Sequence, residues 1–199
     1  MDAKYIKQFS FCYFCGSKYA ETDFNQAEVS FKCSNCGQTN FLAMKVSTVG
    51  IIPATEDLHK VLLLKRLDEP GKGLFNLPGG FLIYGEDPQA GAKRELREEL
   101  GQEVRITRLV TSLIEDYAYK GFLWKVVNLF YLCSPLESDP VLNSESSEFT
   151  YATAEEVLAE KIKLVFESEI EVIKQYAARL SFTNNRRRSR GDHGRDLSR

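Results

Sequence analysis

The sequence has no apolar run near the roughly 18–20 residues that a membrane-spanning helix requires, so no membrane partner is expected. The first residues, MDAKYIKQFSFCYFC, contain no apolar core of the kind that marks a secretory signal, and a cytoplasmic location is the expectation. Histidine is nearly absent: only His59 and His193 occur, one in a probable loop and one near the end of the chain, and neither sits in a motif. No internal repeat is visible. Positive charge is scarce outside the last residues. Residues 179–199 hold seven Arg and two Asp, a local +5, which leaves 19 basic against 26 acidic side chains in the other 178 residues. A mildly acidic body argues against binding to duplex DNA. The basic tail leaves contact with nucleic acid open without favouring it, and a solvated, disordered tail is the plainer reading.

What the chain does contain is enough for one ordinary domain and a small module: 199 residues, 43% of them hydrophobic. Three segments are expected. Residues 1–43 carry four of the five cysteines and little continuous apolar sequence. Residues 44–180 alternate strand-like and helix-like patterns. Residues 181–199, SFTNNRRRSRGDHGRDLSR, are poor in apolar residues and are expected to form the tail.

In the middle segment, 46–52 and 60–64 read as strands, as do 104–112 and 123–133, since each is rich in β-branched or aliphatic residues. LPGG at 77–80 is a turn that needs glycine. Asp87-Pro88 is a helix start, an acid at the N-cap followed by proline at the first helical position, and Gly101 closes that helix after Leu100. Thr153 and Glu156 fit a capping box, and a last helix is expected over 167–180, with Ile170, Ile173 and Ala177 in one stripe. Strands and helices without a regular βαβ alternation point to an α+β fold.

The helix from Pro88 to Leu100 poses a physical problem. Glu95, Glu98 and Glu99 lie at i, i+3 and i+4, so three carboxylates crowd one face and repel one another. Ala92, Leu96 and Leu100 form the adjacent apolar stripe, suited to dock on a sheet. A solvated helix face is the bland explanation. A hard cation explains more, because Mg²⁺ takes oxygen ligands and shares its remaining positions with water and substrate phosphates. Arg94, four residues before Glu98, can hold the carboxylates in place.

The spacing around that helix runs Gly80, five residues, Glu86, seven residues, Arg94-Glu95-Leu96, one residue, Glu98-Glu99, one residue, Gly101. It resembles the Nudix box, G-x5-E-x7-R-E-U-x-E-E-x-G-U, with U an aliphatic residue; only the last position departs, where Gln102 stands for U. The resemblance implies a Nudix α/β/α sandwich and Mg²⁺- or Mn²⁺-dependent hydrolysis of a nucleoside diphosphate linked to another group. By position it implies Glu95 and Glu99 as metal ligands, Glu98 as a further ligand or the general base, Glu86 as support, Arg94 as part of the catalytic set, and the carbonyl of Gly79 as another ligand. An extra acid from a later loop is common in the family; Glu145 and Glu148 are the candidates. For substrate contacts, Phe75, Tyr117, Tyr119 and Trp124 are the aromatic candidates for a base, and Lys65 and Arg66 could meet a phosphate.

Two pairs, Cys12-x-x-Cys15 and Cys33-x-x-Cys36, each followed by glycine, fit a tetrahedral Zn²⁺ site closed by four thiolates, hence structural rather than catalytic. Such a module resembles a zinc ribbon. Cys133, inside an apolar strand, reads as a buried core thiol. A zinc ribbon ahead of a Nudix domain is similar to the NADH pyrophosphatases, but their SQPWPFPxS-type array is replaced here by VTSLIEDYAYKGFLW. ADP-ribose pyrophosphatases often carry a proline a set distance past the box, where this chain has Tyr117, a residue more often linked to dinucleoside polyphosphate hydrolases. ADP-ribose and dinucleotides therefore both stay open as small-molecule substrates. Two further readings are a nucleotide-sensing regulator whose ribbon contacts nucleic acid, and an RNA 5′-end pyrophosphohydrolase. The family resemblance also implies a homodimer as one form of assembly.

Overall fold

The computed structural model describes residues 9–191, with side chains through 182. Two compact units can be separated. One holds the residues up to Lys45 together with Asp116–Val126; the other holds Val46–Glu115 and the residues from Val127 onward.

In the first unit, the short strands β1 (Phe24–Asn25), β2 (Ser30–Lys32) and β3 (Thr39–Phe41) form an antiparallel sheet in that order. Its core amounts to Phe31, against which Tyr19 stacks at 4.7 Å and Phe24 tilts at 5.0 Å between ring centroids. So small a core cannot stabilise a fold of this size unaided. Gly16 and Gly37, both at φ 75°, turn the chain back after each cysteine pair, and their N–H groups donate to the carbonyls of Cys12 and Cys33 at 2.8 Å.

β4 (Lys45–Ile51), β7 (Gly79–Phe81), β8 (Ile106–Tyr119) and β9 (Phe122–Cys133) form a sheet in the order β7-β4-β9-β8, most of whose residues belong to the second unit. β5 (Lys60–Arg66), β6 (Phe75–Asn76) and β10 (Ser146–Thr153) form a second, ordered β10-β5-β6. The helices are α1 (Pro88–Leu100), α2 (Ala154–Leu158) and α3 (Glu167–Gly191). Successive strand residues face opposite sides, and β5 shows what this builds. Val61 and Leu63 join a core with Val172, Ile173 and Tyr176 of α3, while Leu62 and Leu64 join another with Ala92, Leu96 and Leu100 of α1. β9 divides likewise, Phe130 to the α3 side, Tyr131 and Cys133 to the α1 side. Both faces of the sheet layer are thus buried under a helix, which is the α/β/α sandwich expected within an α+β fold.

The ends of α1 follow from its sequence. Asp87 Oδ1 accepts the N–H groups of Gln89 and Ala90 at 3.0 and 3.1 Å, Pro88 opens the helix, and Gly101 closes it at φ 68° with its N–H on Arg97 O. Asp87→Ala should destabilise the domain by about 1 kcal/mol, readable as a shift in the denaturant midpoint at constant slope. Thr153 and Glu156 form the reciprocal capping box of α2.

β8 runs past the expected Ser112 to Tyr119, because the turn is made later, at Lys120 (φ 47°) and Gly121 (φ 80°). A two-residue turn with both φ positive matches the twist of a hairpin, but lysine is an uncommon first residue for it and does not flag the position. α3 continues to Gly191, beyond residue 181 where the tail was expected to begin; residues 192–199 lie outside the described part of the chain.

Candidate active site

The acidic helix α1 meets the Leu77–Phe81 turn and the loop that follows it. Arg94 ties them together. Its Nε and Nη2 bond the two oxygens of Glu86 at 2.8 and 2.9 Å, its Nη2 also reaches Phe81 O at 3.1 Å, and its Nη1 reaches Glu95 at 2.7 Å and Glu98 at 3.4 Å. The forked guanidinium suits this bidentate role, which a lysine could not fill. Hydrogen bonds from Arg94 and from the Ile83 N–H hold the Glu86 carboxyl down at about 2.

Glu99 lies in a different environment. It is 7% exposed, and its Oε2 accepts the Gly79 N–H at 2.7 Å. Burial pushes its carboxyl up to about 8, with the nearby charges of Glu95 and Glu145 adding to the rise, while the Gly79 hydrogen bond and Arg66 oppose it. Burial also raises Glu95, an effect that Arg94 only partly offsets. Glu98 is the most open of the three, with 53% of its side chain exposed.

Two glycines let the turn approach the helix. A Cβ on Gly80 would fall 2.4 Å from the Glu95 carboxyl carbon. Gly79, at φ 148°, lies so close to β4 that a Cβ would fall 2.1 Å from Thr48 O. Gly80→Ala should displace Glu95 and cut kcat about 10- to 100-fold while the thermal midpoint moves little, because the strained partner is a side chain rather than the backbone.

Of the later acids, Glu145 is near enough for its charge to add to the rise of both Glu95 and Glu99. Glu148 instead pairs with Lys65 at 3.0 Å. Arg66 donates from Nε to Pro70 O at 2.7 Å and lies near enough to Glu99 to lower its carboxyl. Phe75 packs against the α3-side core, with the Lys65 ammonium 5.6 Å from its ring centroid. Tyr117, Tyr119 and Trp124 belong to the first unit, on the hairpin end of β8 and β9. There Tyr117 and Tyr119 lie 6.4 Å apart, Trp124 stacks with Phe122 at 6.2 Å, and Lys45 sits 4.9 Å from the Trp124 ring centroid.

One buried acid escaped the sequence reading. Glu169, on the first turn of α3, is 3% exposed and near Arg66 and Glu99. Its spacing carried a signal: Val172, Ile173 and Tyr176 lie three, four and seven residues on, so Glu169 occupies a core position of an apolar stripe.

In the first unit the four cysteines are free of disulfides and converge. Their Sγ atoms lie within 4.8 Å of one another, with Cys12 and Cys36 3.8 Å apart and Cys15 and Cys33 3.6 Å apart. A tetrahedron with Zn–S bonds of about 2.3 Å has edges of about 3.8 Å, so the set fits Zn²⁺. Side-chain amides of Asn40 and Asn35 donate to Cys12 and Cys15 at 3.5 and 3.8 Å, the kind of outer support that thiolate ligands receive. Hydrogen bonding from Ser17 brings the Cys15 thiol down to about 6. Cys133 is buried, and burial pushes its thiol up to about 12, as befits an inert core residue.

Known proteins resemble this chain over most of its second unit. The family model described as the NUDIX domain matches residues 44–175. An ADP-ribose pyrophosphatase of Methanocaldococcus jannaschii is 40% identical over 70 residues, 35% of this chain and 40% of that protein. An ADP-ribose pyrophosphatase of Bacillus subtilis is 30% identical over 120 residues, 59% of this chain and 62% of that protein. The chain thus spans less than two thirds of either relative. The crystal structure of a NUDIX hydrolase from Nitrosomonas europaea superposes with a TM-score of 0.63 at 25% identity, covering 85% of this chain and 90% of that one. With the NUDIX domain model matching residues 44–175, well over half of its length, the chain belongs to the Nudix family of hydrolases.

Proposed function

We propose that this Nudix hydrolase cleaves the diphosphate linkage of a nucleoside diphosphate derivative, with ADP-ribose as the first candidate. The observation that carries the reading is the packing of Glu95, Glu98 and Glu99 on one face of α1, beside a turn whose backbone already bonds the buried Glu99. Two relatives bear the name ADP-ribose pyrophosphatase, which makes ADP-ribose the first substrate to test.

The donor set is all oxygen, which suits Mg²⁺ or Mn²⁺ and no softer ion. Glu95, Glu99 and the Gly79 carbonyl would hold it, with Glu98 as a further ligand or the base. When bound, the ion neutralises the diphosphate and lowers the pKa of a coordinated water. The protein's part is orientation and proton transfer. Arg94 fixes Glu95 and Glu86, so the helix face keeps its shape as charge changes around it. Glu98, open to solvent, accepts the proton of the attacking water; Glu145 is the second candidate for that step. The water oxygen bonds to phosphorus, the bridging P–O bond breaks, and the leaving phosphate departs with the electron pair. Arg66 lies where it can offset part of the added negative charge. In the first unit, Cys12, Cys15, Cys33 and Cys36 hold a structural Zn²⁺.

A pH test separates the metal from the fold. The Glu99 carboxyl is raised in the folded state, so the folded protein binds the extra proton. Stability from that proton is present below the usual carboxylate range, near 4.5, and is lost as pH rises towards about 8. The metal-free protein should therefore lose thermal stability over that window, and Mg²⁺ should restore it at the alkaline end, as read by thermal unfolding. The substrate is tested by incubation with Mg²⁺ and ADP-ribose, NADH, FAD, diadenosine polyphosphates, nucleotide sugars or capped RNA, with products resolved by chromatography. Preferential cleavage of ADP-ribose supports the proposal; cleavage of another compound alone reassigns the substrate.

A further inference from the structure

We propose that Gly50, on β4 and outside the catalytic motif, is a positioning residue: by lacking a side chain it sets how closely the acidic helix α1 and the Pro78-Gly79 turn approach each other. The inference rests on the active-site reading above and adds a residue that acts on the site through Leu96.

β4 carries both halves of the site. Thr48 pairs with Gly80 and Val49 with Gly79, and the next residue, Gly50, donates its N–H to Pro78 O at 2.8 Å. The turn is thus laid along β4 residue by residue, and Gly79 donates its own N–H to Glu99 of α1 at 2.7 Å. The same strand also supports the helix. Side chains alternate along a strand, and Val49 and Ile51 belong to the core on the α3 side, so Gly50 faces α1. The place of its missing Cβ is taken by Leu96. A Cβ there would fall 2.8 Å from Leu96 Cδ2 and 3.1 Å from Cδ1.

Backbone conformation does not call for glycine here, because Gly50 is not among the glycines at positive φ. In the interior of a strand, glycine weakens the sheet and marks a close approach. Leu96 has no room to turn aside. It is fully buried, in one core with Ile52, Leu62, Leu64 and Leu100, and such interiors are close-packed. A methyl group on Gly50 therefore pushes on the helix itself. Leu96 follows Glu95 directly and precedes Glu99 by three residues, so a displaced Leu96 carries both carboxylates away from Gly79 and Gly80. Small shifts at a reacting centre cost large factors in rate. Gly79 and Gly80 bring the turn close to its neighbours; Gly50 brings the helix close to the strand beneath it.

The test is a double-mutant cycle in the full chain. Gly50→Ala keeps the N–H that bonds Pro78 and adds only the methyl group. Leu96→Val removes the atoms that the methyl group meets, since valine ends at the level of Leu96 Cγ, 3.5 Å from the added carbon. Gly50→Ala should lower kcat by about 10- to 100-fold with KM within about threefold of wild type. The double variant should return kcat to within about threefold of Leu96→Val alone. Amide hydrogen exchange at Gly79 gives an independent readout: relative to β5 amides it should be about tenfold faster in Gly50→Ala and close to wild type in the double variant. A kcat of Gly50→Ala within about threefold of wild type would overturn the proposal, and so would a double variant no faster than Gly50→Ala. If Gly50→Ala is too unstable to assay, the double variant and Leu96→Val decide: a double variant more than about threefold slower than Leu96→Val overturns the proposal, and one within that range supports it. If the wild-type protein cleaves none of the diphosphates offered, the substrate reading fails by itself. Exchange at Gly79 then still decides the role of Gly50, and a rate unchanged in Gly50→Ala contradicts it.

Discussion

Glu99→Gln is expected to lower kcat by about 10³-fold, a loss of about 4 kcal/mol in transition-state stabilisation, without unfolding the protein. The two halves of this prediction have separate causes. Glutamine retains a carbonyl oxygen that can accept the Gly79 N–H, so the turn keeps its anchor. It also removes a carboxyl whose ionisation is opposed by burial and by Glu95 and Glu145. The metal-free variant should therefore be at least as stable as wild type at pH 8. What glutamine cannot supply is the negative charge that a divalent cation needs from an oxygen ligand. Steady-state kinetics at saturating Mg²⁺, together with thermal unfolding of the metal-free proteins, checks both parts. A variant with kcat within tenfold of wild type would remove Glu99 from the proposed metal site.

The second large effect concerns the cysteine module. Its apolar core is little more than Phe31, Tyr19 and Phe24, too few contacts to offset the entropy of ordering some forty residues. Four thiolates on Zn²⁺ contribute an apparent 10–16 kcal/mol at neutral pH, about the scale needed to decide whether such a module folds. Purified protein should carry one zinc per chain. Cys33→Ser, or a strong chelator, should abolish bound zinc and collapse the amide dispersion of residues 9–45 in an NMR spectrum. Retention of that dispersion without zinc would show that the small core suffices.

Much of this was legible in the sequence because the signals are local. Asp87-Pro88 and Gly101 marked both ends of α1, since cap chemistry needs only neighbouring residues. The helical spacing of Glu95, Glu98 and Glu99 placed them on one face, and Arg94 was in reach by the same arithmetic. The paired C-x-x-C knuckles predicted the convergence of sulfurs now found. Other features depend on residues distant in the chain. That Glu148 is occupied by Lys65 is decided by the pairing of β10 with β5, which sets the two residues opposite each other. The length of β8 depended on a Lys120-Gly121 turn whose first residue gives no warning. Glu169 was hidden because an acid within an apolar stripe reads as a boundary of the stripe until the helix is seen to cover it on a sheet.

Hydrolysis of ADP-ribose by the purified protein in ¹⁸O-labelled water, with and without Mg²⁺, tests the central claim most directly. Mass spectrometry should find AMP and ribose 5-phosphate in equal amounts, one of the two carrying a single labelled oxygen from attack at one phosphorus, and neither product without a divalent ion. If neither ADP-ribose nor any other nucleoside diphosphate derivative gives labelled phosphate products in the presence of Mg²⁺ or Mn²⁺, the assignment of α1 as the centre of a diphosphatase is wrong.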